Sequence, residues 1–326
     1  MVIRGMSLGL ARGRPMNKLE RFHAAVTGAP VDRVPVSLWL HFVTDYLDGA
    51  ESARLQARFF RQYDLDMAKV VNDYRYPLPD GMETLTNPDD MLRIEAQPMS
   101  YRSYAEQLRM LRVLRADLGP DCPIIDTTFD PLQQIMRRTG FSKTQLVFDH
   151  PRQAKLMLEA ATETVCRYVA ELKQLGVDGV FYSTRGAVRE EHPDGVDETT
   201  FKEFFRPYDI AVLEAMAGMV RILHTCKSDL DLNRVGDYPH EVLSWWVRHQ
   251  SCPSLAEKRA ESDKCLMGGI DQSSAIERTL PELRAEIEDA LRQAEGGGFI
   301  LAPGCTIFSQ VPGHILAGII DIARGL

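Results

Sequence analysis

The chain has 326 residues, 44% of them hydrophobic, enough to bury a sizeable core in one large barrel or in two average domains. Its formal net charge is −8, from 38 Lys+Arg against 46 Asp+Glu, with no long basic run, which argues against nucleic-acid phosphates or an anionic membrane surface as the main partner. Six cysteines are too sparse for a disulfide scaffold and fit a reduced cytoplasmic protein, and no apolar run approaches the roughly 20 residues of a membrane span.

Residues 1–15 (MVIRGMSLGLARGRP) place Arg4, Arg12 and Arg14 around a weakly apolar stretch, lack the pattern of a signal peptide, and read as a loose extension preceding a domain over 16–326. Leu19, Phe22, His23 and Val26 then share one helical face, and GAPVDR stops that helix before VPVSLWL, the first predicted strand. A helix in ESARLQARFFRQYD and a second strand in DMAKVV follow. The stretch from Asn72 to about Arg102 is long for a connection and is expected to arch over the mouth of the domain.

Next come a helix in SYAEQLRMLRVLRADLG and a third strand, CPIID. Ala154, Leu158, Ala161, Val165, Val169 and Leu172 space out a long helix ending at Gly176, and DGVFYS is the fourth strand. VRILHTC, VLSWWV, KCLMGGI and GFILAPG complete the set, although SWW also suits a helix. Thr279 and Glu282 have capping-box spacing, and Pro312 opens a last helix carrying Ile315, Leu316, Ile319 and Ile320. Eight short apolar strands, each followed by a helical pattern, predict an α/β protein: a single (β/α)8 TIM barrel with an N-terminal helix and a long loop after strand 2.

In such a barrel every strand delivers its C-terminal end to one mouth. His224 and Cys226, two residues apart at the end of the fifth strand, face the same way, and Cys305 follows the eighth strand. A His-X-Cys at a strand end is, taken alone, more often core packing. With Cys305 at an equivalent strand end it becomes a soft three-ligand set suited to Zn2+, with the fourth position left for substrate. Asp126, the Glu190–Glu191 pair and Asp271 also sit at predicted C-terminal strand ends, where an acid could orient His224 or ligate weakly. Asp271 is the preferred of these, against a plain loop-capping role. His314, at the start of the last helix, reads either as a proton carrier or as a packing residue, and Tyr182 and Trp246 as pocket lining or core. Cys122, Cys166, Cys252 and Cys265 have no partner at metal-ligand spacing and are expected to be structural.

The segments RVPVSLW, GVDGVFYST, ILHTC, LMGGID and GGFILAPGCTI, from about Met16 to the C-terminus, resemble the uroporphyrinogen decarboxylase superfamily, specifically its corrinoid-dependent methyltransferases such as the methylcobalamin:coenzyme M enzymes. That resemblance implies catalytic zinc on His224, Cys226 and Cys305. It implies transfer of a methyl group between a corrinoid (cobalamin) and a thiol acceptor such as coenzyme M or homocysteine. It also implies a separate corrinoid protein as partner, because this chain has no Asp-X-His-X-X-Gly stretch with which to carry the cofactor itself. A homo-oligomeric assembly is left open. The departure is Gly313-His314, where several relatives have an acid and Asn.

Four alternatives stand beside this reading. The barrel could pass a methyl group from a methylated substrate to the corrinoid; it could use a methyl-folate donor without cobalamin, though such enzymes are expected to be longer, duplicated chains; it could be a non-catalytic module; or it could decarboxylate a tetrapyrrole. The last demands many cationic contacts, and WLHFVTDYLDG has no arginine before Arg54.

Overall fold

The computed structural model describes residues 14–326, so most of the expected N-terminal extension, residues 1–13, lies outside the described residues. Seven parallel strands pair in sequence order: β1 (Ala68–Val70), β2 (Ile124–Phe129), β3 (Gly179–Thr184), β4 (Val220–Thr225), β5 (Val242–Ser244), β6 (Cys265–Ile270) and β7 (Phe299–Pro303). The first predicted strand is reduced to a bridge: Val36 pairs in parallel with Leu301 of β7, flanked by Ser37 N to Leu301 O at 3.0 Å and Leu301 N to Pro35 O at 2.9 Å. On its other side Asp66 N donates to Val36 O at 3.0 Å, just ahead of β1, so the ring closes through this stave. Pro35 has no N–H to donate, which keeps the ladder from extending. β5 is also shorter than predicted. It stops at Ser244, and the Trp245 indole donates to Pro253 O at 2.7 Å.

Strand residues alternate between two cores. Met67, Ile125, Phe181, Ile222, Val242, Met267, Ile300 and Ala302 point inward and fill the barrel, whereas Tyr182, Leu223, Leu266 and Leu301 belong to the larger layer shared with the helices. The N-terminal helix Lys18–Thr27, capped by an Asn17–Glu20 capping box, adds Phe22 and Ala25 to the inner core and so plugs the N-terminal end of the barrel. Its buried face is Arg21, Phe22 and Ala25, and His23 is exposed, contrary to the predicted face. Ion pairing explains the rotation: the Arg21 guanidinium reaches Asp32 at 2.7 Å and Asp66 at 2.7 Å, and Asp66 also binds Arg33 at 2.6 Å.

Residues 71–101 do not arch over the mouth as expected. Apart from the short helix Pro88–Met91 they run down the flank, where the Tyr76 hydroxyl meets Thr164 Oγ1 at 3.1 Å and Gln97 N donates to the same oxygen at 2.9 Å, on the long helix Pro151–Gln174. Tyr74, Tyr76, Met82, Leu85, Met91 and Ile94 are buried, enough to fix the segment without regular structure. At the C-terminal end of the barrel Cys226 and Cys305 are half-buried.

Candidate metal centre

β4 presents Ile222 and His224 to the barrel interior and Leu223 to the outer layer, and Cys226 continues the inward series just past the strand. Cys226 N donates to Thr184 O at 3.0 Å, which holds the turn against the end of β3. Cys305 arrives from the β7 end through Gly304. A Cβ on Gly304 would lie 2.8 Å from Trp246 Cα and 2.9 Å from Gln272 Oε1, so only glycine lets the chain pass there. The ligand atoms of His224, Cys226 and Cys305 lie within 4.8 Å of one another, and among the described residues this is the one such cluster of three or more His, Cys, Asp or Glu side chains. Tetrahedral zinc, with bonds of about 2.0 Å to nitrogen and 2.3 Å to sulfur, needs roughly 3.5–3.8 Å between ligand atoms. The donor set and its spacing therefore fit a soft divalent ion after small side-chain adjustments.

His224 is buried and oriented twice. Its Nδ1 lies 3.2 Å from Ser244 Oγ, its register partner on β5, and its ring stacks on Phe181 with centroids 4.7 Å apart. With Nδ1–H donated to Ser244, the lone pair of Nε2 is free for a metal. The thiols are coupled. Hydrogen bonding with Cys226 and the neighbouring His224 hold Cys305 well below the usual thiol range against the opposing effect of burial, whereas the contact with Cys305 and burial push Cys226 well above it.

Strain marks the turn that follows. Lys227, next to Cys226, has φ +93°, a conformation that costs a non-glycine residue about 1–3 kcal/mol. Its Nζ binds Asp194 at 2.9 Å, and Asp194 also binds Arg185 at 2.8 Å, so two cations flank the Cys226 side of the mouth. Arg185, whose guanidinium covers the Phe141 ring at 4.2 Å, lines a cavity of about 480 Å³ together with Gln133, Asp194 and Thr200.

The acids expected at the mouth do not join the cluster. Asp271 caps its own loop: Oδ1 accepts from Trp246 Nε1 at 3.1 Å and from Ser273 N and Oγ, and Oδ2 accepts from Ser274 Oγ at 2.8 Å. Burial raises its pKa, but these hydrogen bonds outweigh it and leave a net lowering. Asp126 points outward from β2, because the odd residues of that strand face the interior. It accepts from Gln107 Nε2 at 2.8 Å and the Tyr168 hydroxyl at 2.9 Å. Glu190 and Glu191 are exposed in the loop after β3, and only Glu190 borders the cavity. His314 is exposed in the first turn of the last helix. Tyr182 is outer core, donating to Asp209 at 2.6 Å, while Trp246 is half-buried on Asp271. All six cysteines are free thiols.

Lys69 went unread in the sequence. It occupies an inward position on β1 with 4% of its surface exposed, its Nζ 4.1 Å from the Phe181 ring centroid and 4.7 Å from that of Trp39. Burial pulls its pKa down to about 7, opposed by the charges of Cys305, Asp126, Asp73 and Cys226. A lysine between Ala68 and Val70 in an apolar strand was the available signal. Asp73, three residues past β1, holds His41 Nδ1 at 2.6 Å and accepts from Val43 N at 3.0 Å.

The family model "Uroporphyrinogen decarboxylase (URO-D)" matches residues 69–326. No curated protein matches the sequence. Among solved structures, the barrel is similar to a methyltransferase from Methanosarcina mazei, at 17% identity and TM-score 0.73 over 95% of this chain and 99% of that one. It is also similar to a B12-independent methionine synthase from Shewanella sp. W3-18-1, at 12% identity and TM-score 0.57 over 90% and 91%. A putative vitamin-B12 independent methionine synthase from Listeria monocytogenes gives 12% and 0.56 over 90% and 96%. These likenesses establish a shared fold. The coverage also corrects one expectation, since the two methionine-synthase structures are about as long as this chain and length does not set them apart. With more than half of its length matched by the family model, this chain belongs to the uroporphyrinogen decarboxylase family.

Proposed function

We propose that the protein is a zinc-dependent methyltransferase that moves a methyl group between a corrinoid, carried on a separate protein docked at the barrel mouth, and a thiol acceptor such as coenzyme M or homocysteine. The observation that carries this reading is the convergence of His224, Cys226 and Cys305, one imidazole and two thiols, at the C-terminal end of the barrel. Zinc bound there would acidify a thiol taking the open position and keep its sulfur nucleophilic at neutral pH. The chain's own residues do the rest. Ser244 and Phe181 fix the His224 ring, Gly304 fixes Cys305, and the inner core beneath the cluster excludes water from below.

The family's name suggests decarboxylation, but the segment after the first stave offers no arginine before Arg54, which is exposed on the helix Gly49–Gln62. A polycarboxylate would find few partners there. A methyl-folate donor without cobalamin is the second reading, favoured by the two methionine-synthase folds of similar length.

The test is elemental analysis of protein purified without added zinc, followed by incubation with methylcobalamin and a panel of thiols. Stoichiometric zinc and a methylated thiol are expected. Zinc-free protein, or zinc retained in full by Cys305→Ser, would remove the centre as drawn. Transfer from a methyl-folate but not from methylcobalamin would select the second donor, and demethylation of a methylated compound with no product from any thiol would reverse the direction.

A further inference from the structure

Three cationic side chains are buried in the described residues: Arg21, Lys69 and Arg185. Arg21 is neutralised by Asp32 and Asp66, and Arg185 by Asp194. Lys69 forms no ion pair and no hydrogen bond among the described residues, and rests only on the faces of Trp39 and Phe181. Two ring faces return part of an ammonium's lost hydration, and a buried cation without an anion is otherwise strongly disfavoured.

The carboxylates whose charges reach Lys69 are already engaged elsewhere. Asp126 turns outward to Gln107 and Tyr168, and Asp73 is held by His41 and Val43 N. The remaining neighbours able to carry negative charge are the sulfurs of Cys305 and Cys226, and Phe181, under the Lys69 ammonium, stacks in turn on His224. Two thiolates cancel the charge of a divalent ion. A third sulfur anion, entering as a thiol that loses its proton to solvent, adds one negative charge, and of the cations around the cluster Lys69 alone has no carboxylate partner, since Arg185 and Lys227 are both held by Asp194.

We infer that Lys69 is the counter-cation for the sulfur anion of the acceptor, a positioning residue that makes the barrel interior charge-balanced when a thiolate occupies the mouth. The inference rests on the proposed thiol-acceptor reading and adds to it a residue from outside the ligand set.

The experiment uses the zinc-loaded full chain as wild type, Lys69→Met and Lys69→Arg, with 2-mercaptoethanol, a thiol bearing no second charge, titrated by calorimetry. Expected are equal zinc contents, thiol binding about ten- to a hundredfold weaker in Lys69→Met, the size of one close charge interaction, and recovery of most of that loss in Lys69→Arg. Without thiol, Lys69→Met should melt above the wild type, because an apolar chain of similar length relieves an unpaired buried cation. Equal thiol affinity in wild type and Lys69→Met overturns the inference. So does a lower melting temperature or failure to fold in Lys69→Met, which would make Lys69 a structural cation on two rings. A wild type that holds zinc and binds no thiol fails differently, because it removes the acceptor reading itself.

Discussion

Two buried polar clusters lie on opposite faces of the same sheet. Behind β2 and β3, between barrel and helices, Asp209 accepts from the hydroxyls of Tyr182 at 2.6 Å, Thr184 at 3.0 Å and Tyr238 at 3.0 Å, while Asp130 is bound by Gln133 and by Arg185 N. Inside the barrel, His224, Cys226, Cys305 and Lys69 have almost no partners besides one another and Ser244. Both clusters bear groups whose protonation is strongly perturbed, so perturbation alone does not locate function. Satisfaction does. The outer carboxylates have their oxygens taken by hydroxyls, an amide and a backbone N–H, whereas the inner cluster leaves three ligand atoms together and an ammonium without an anion.

Mutations on the two sides should therefore fail in different ways. The largest effect belongs to the inner cluster: Cys305→Ser is expected to lose zinc and to cut methyl transfer about a thousandfold, a barrier cost of roughly 4 kcal/mol, with the melting transition of the metal-free protein nearly unmoved. Metal analysis beside thermal unfolding checks both halves, and a variant that merely unfolds would erase the distinction. Next is Asp209→Ala, which strands three buried hydroxyls and opens a void. It should cost about 2–4 kcal/mol in urea unfolding and leave the zinc stoichiometry of the folded fraction unchanged. Loss of zinc from folded Asp209→Ala would mean the two clusters are one.

Much of the inner side was legible from sequence because it obeys period and topology. His224 and Cys226 share a face by the two-residue repeat of a strand, and Cys305 reaches them because parallel strands of a barrel end at one mouth. What escaped had no periodic signal. Pro35 reduces the first stave to a bridge, and residues 71–101 are fixed by scattered aromatic and methionine side chains that mark no helix or strand. Asp271 and Asp126 ended predicted strands, but position in a barrel does not reveal which way a side chain turns or whether neighbouring serines, an indole or a tyrosine occupy its oxygens. The face of the first helix was misread because hydropathy does not anticipate that Arg21 is drawn inward by Asp32 and Asp66.

Ser244 tests the boundary between the two kinds of cluster, since it is the one ordinary hydrogen-bonding neighbour of His224. Ser244→Ala frees the imidazole to rotate and should weaken zinc binding about 10–100-fold in competition with a chelator, with little change in folding. Unaltered affinity would show that stacking on Phe181 suffices.

The smallest effect is expected at Asp126, on the outer side, and its sign is set by burial. Burial raises this carboxyl from 3.8 to about 7, against the hydrogen bonds from Gln107 and Tyr168 and the charge of Lys69. The folded state then holds the proton more tightly than the unfolded chain. The associated stability is intact below about pH 4, falls as pH rises towards about 7, and is flat above it. Asp126→Asn removes the titration and can offer an N–H to Gln107 Oε1, which is buried without a partner. The variant should match wild type near pH 4 and exceed it at pH 8, by no more than the stability that the raised carboxyl loses between those two pH values. Urea unfolding at the two pH values decides it: parallel curves would mean that Asp126 titrates alike in the folded and the unfolded chain.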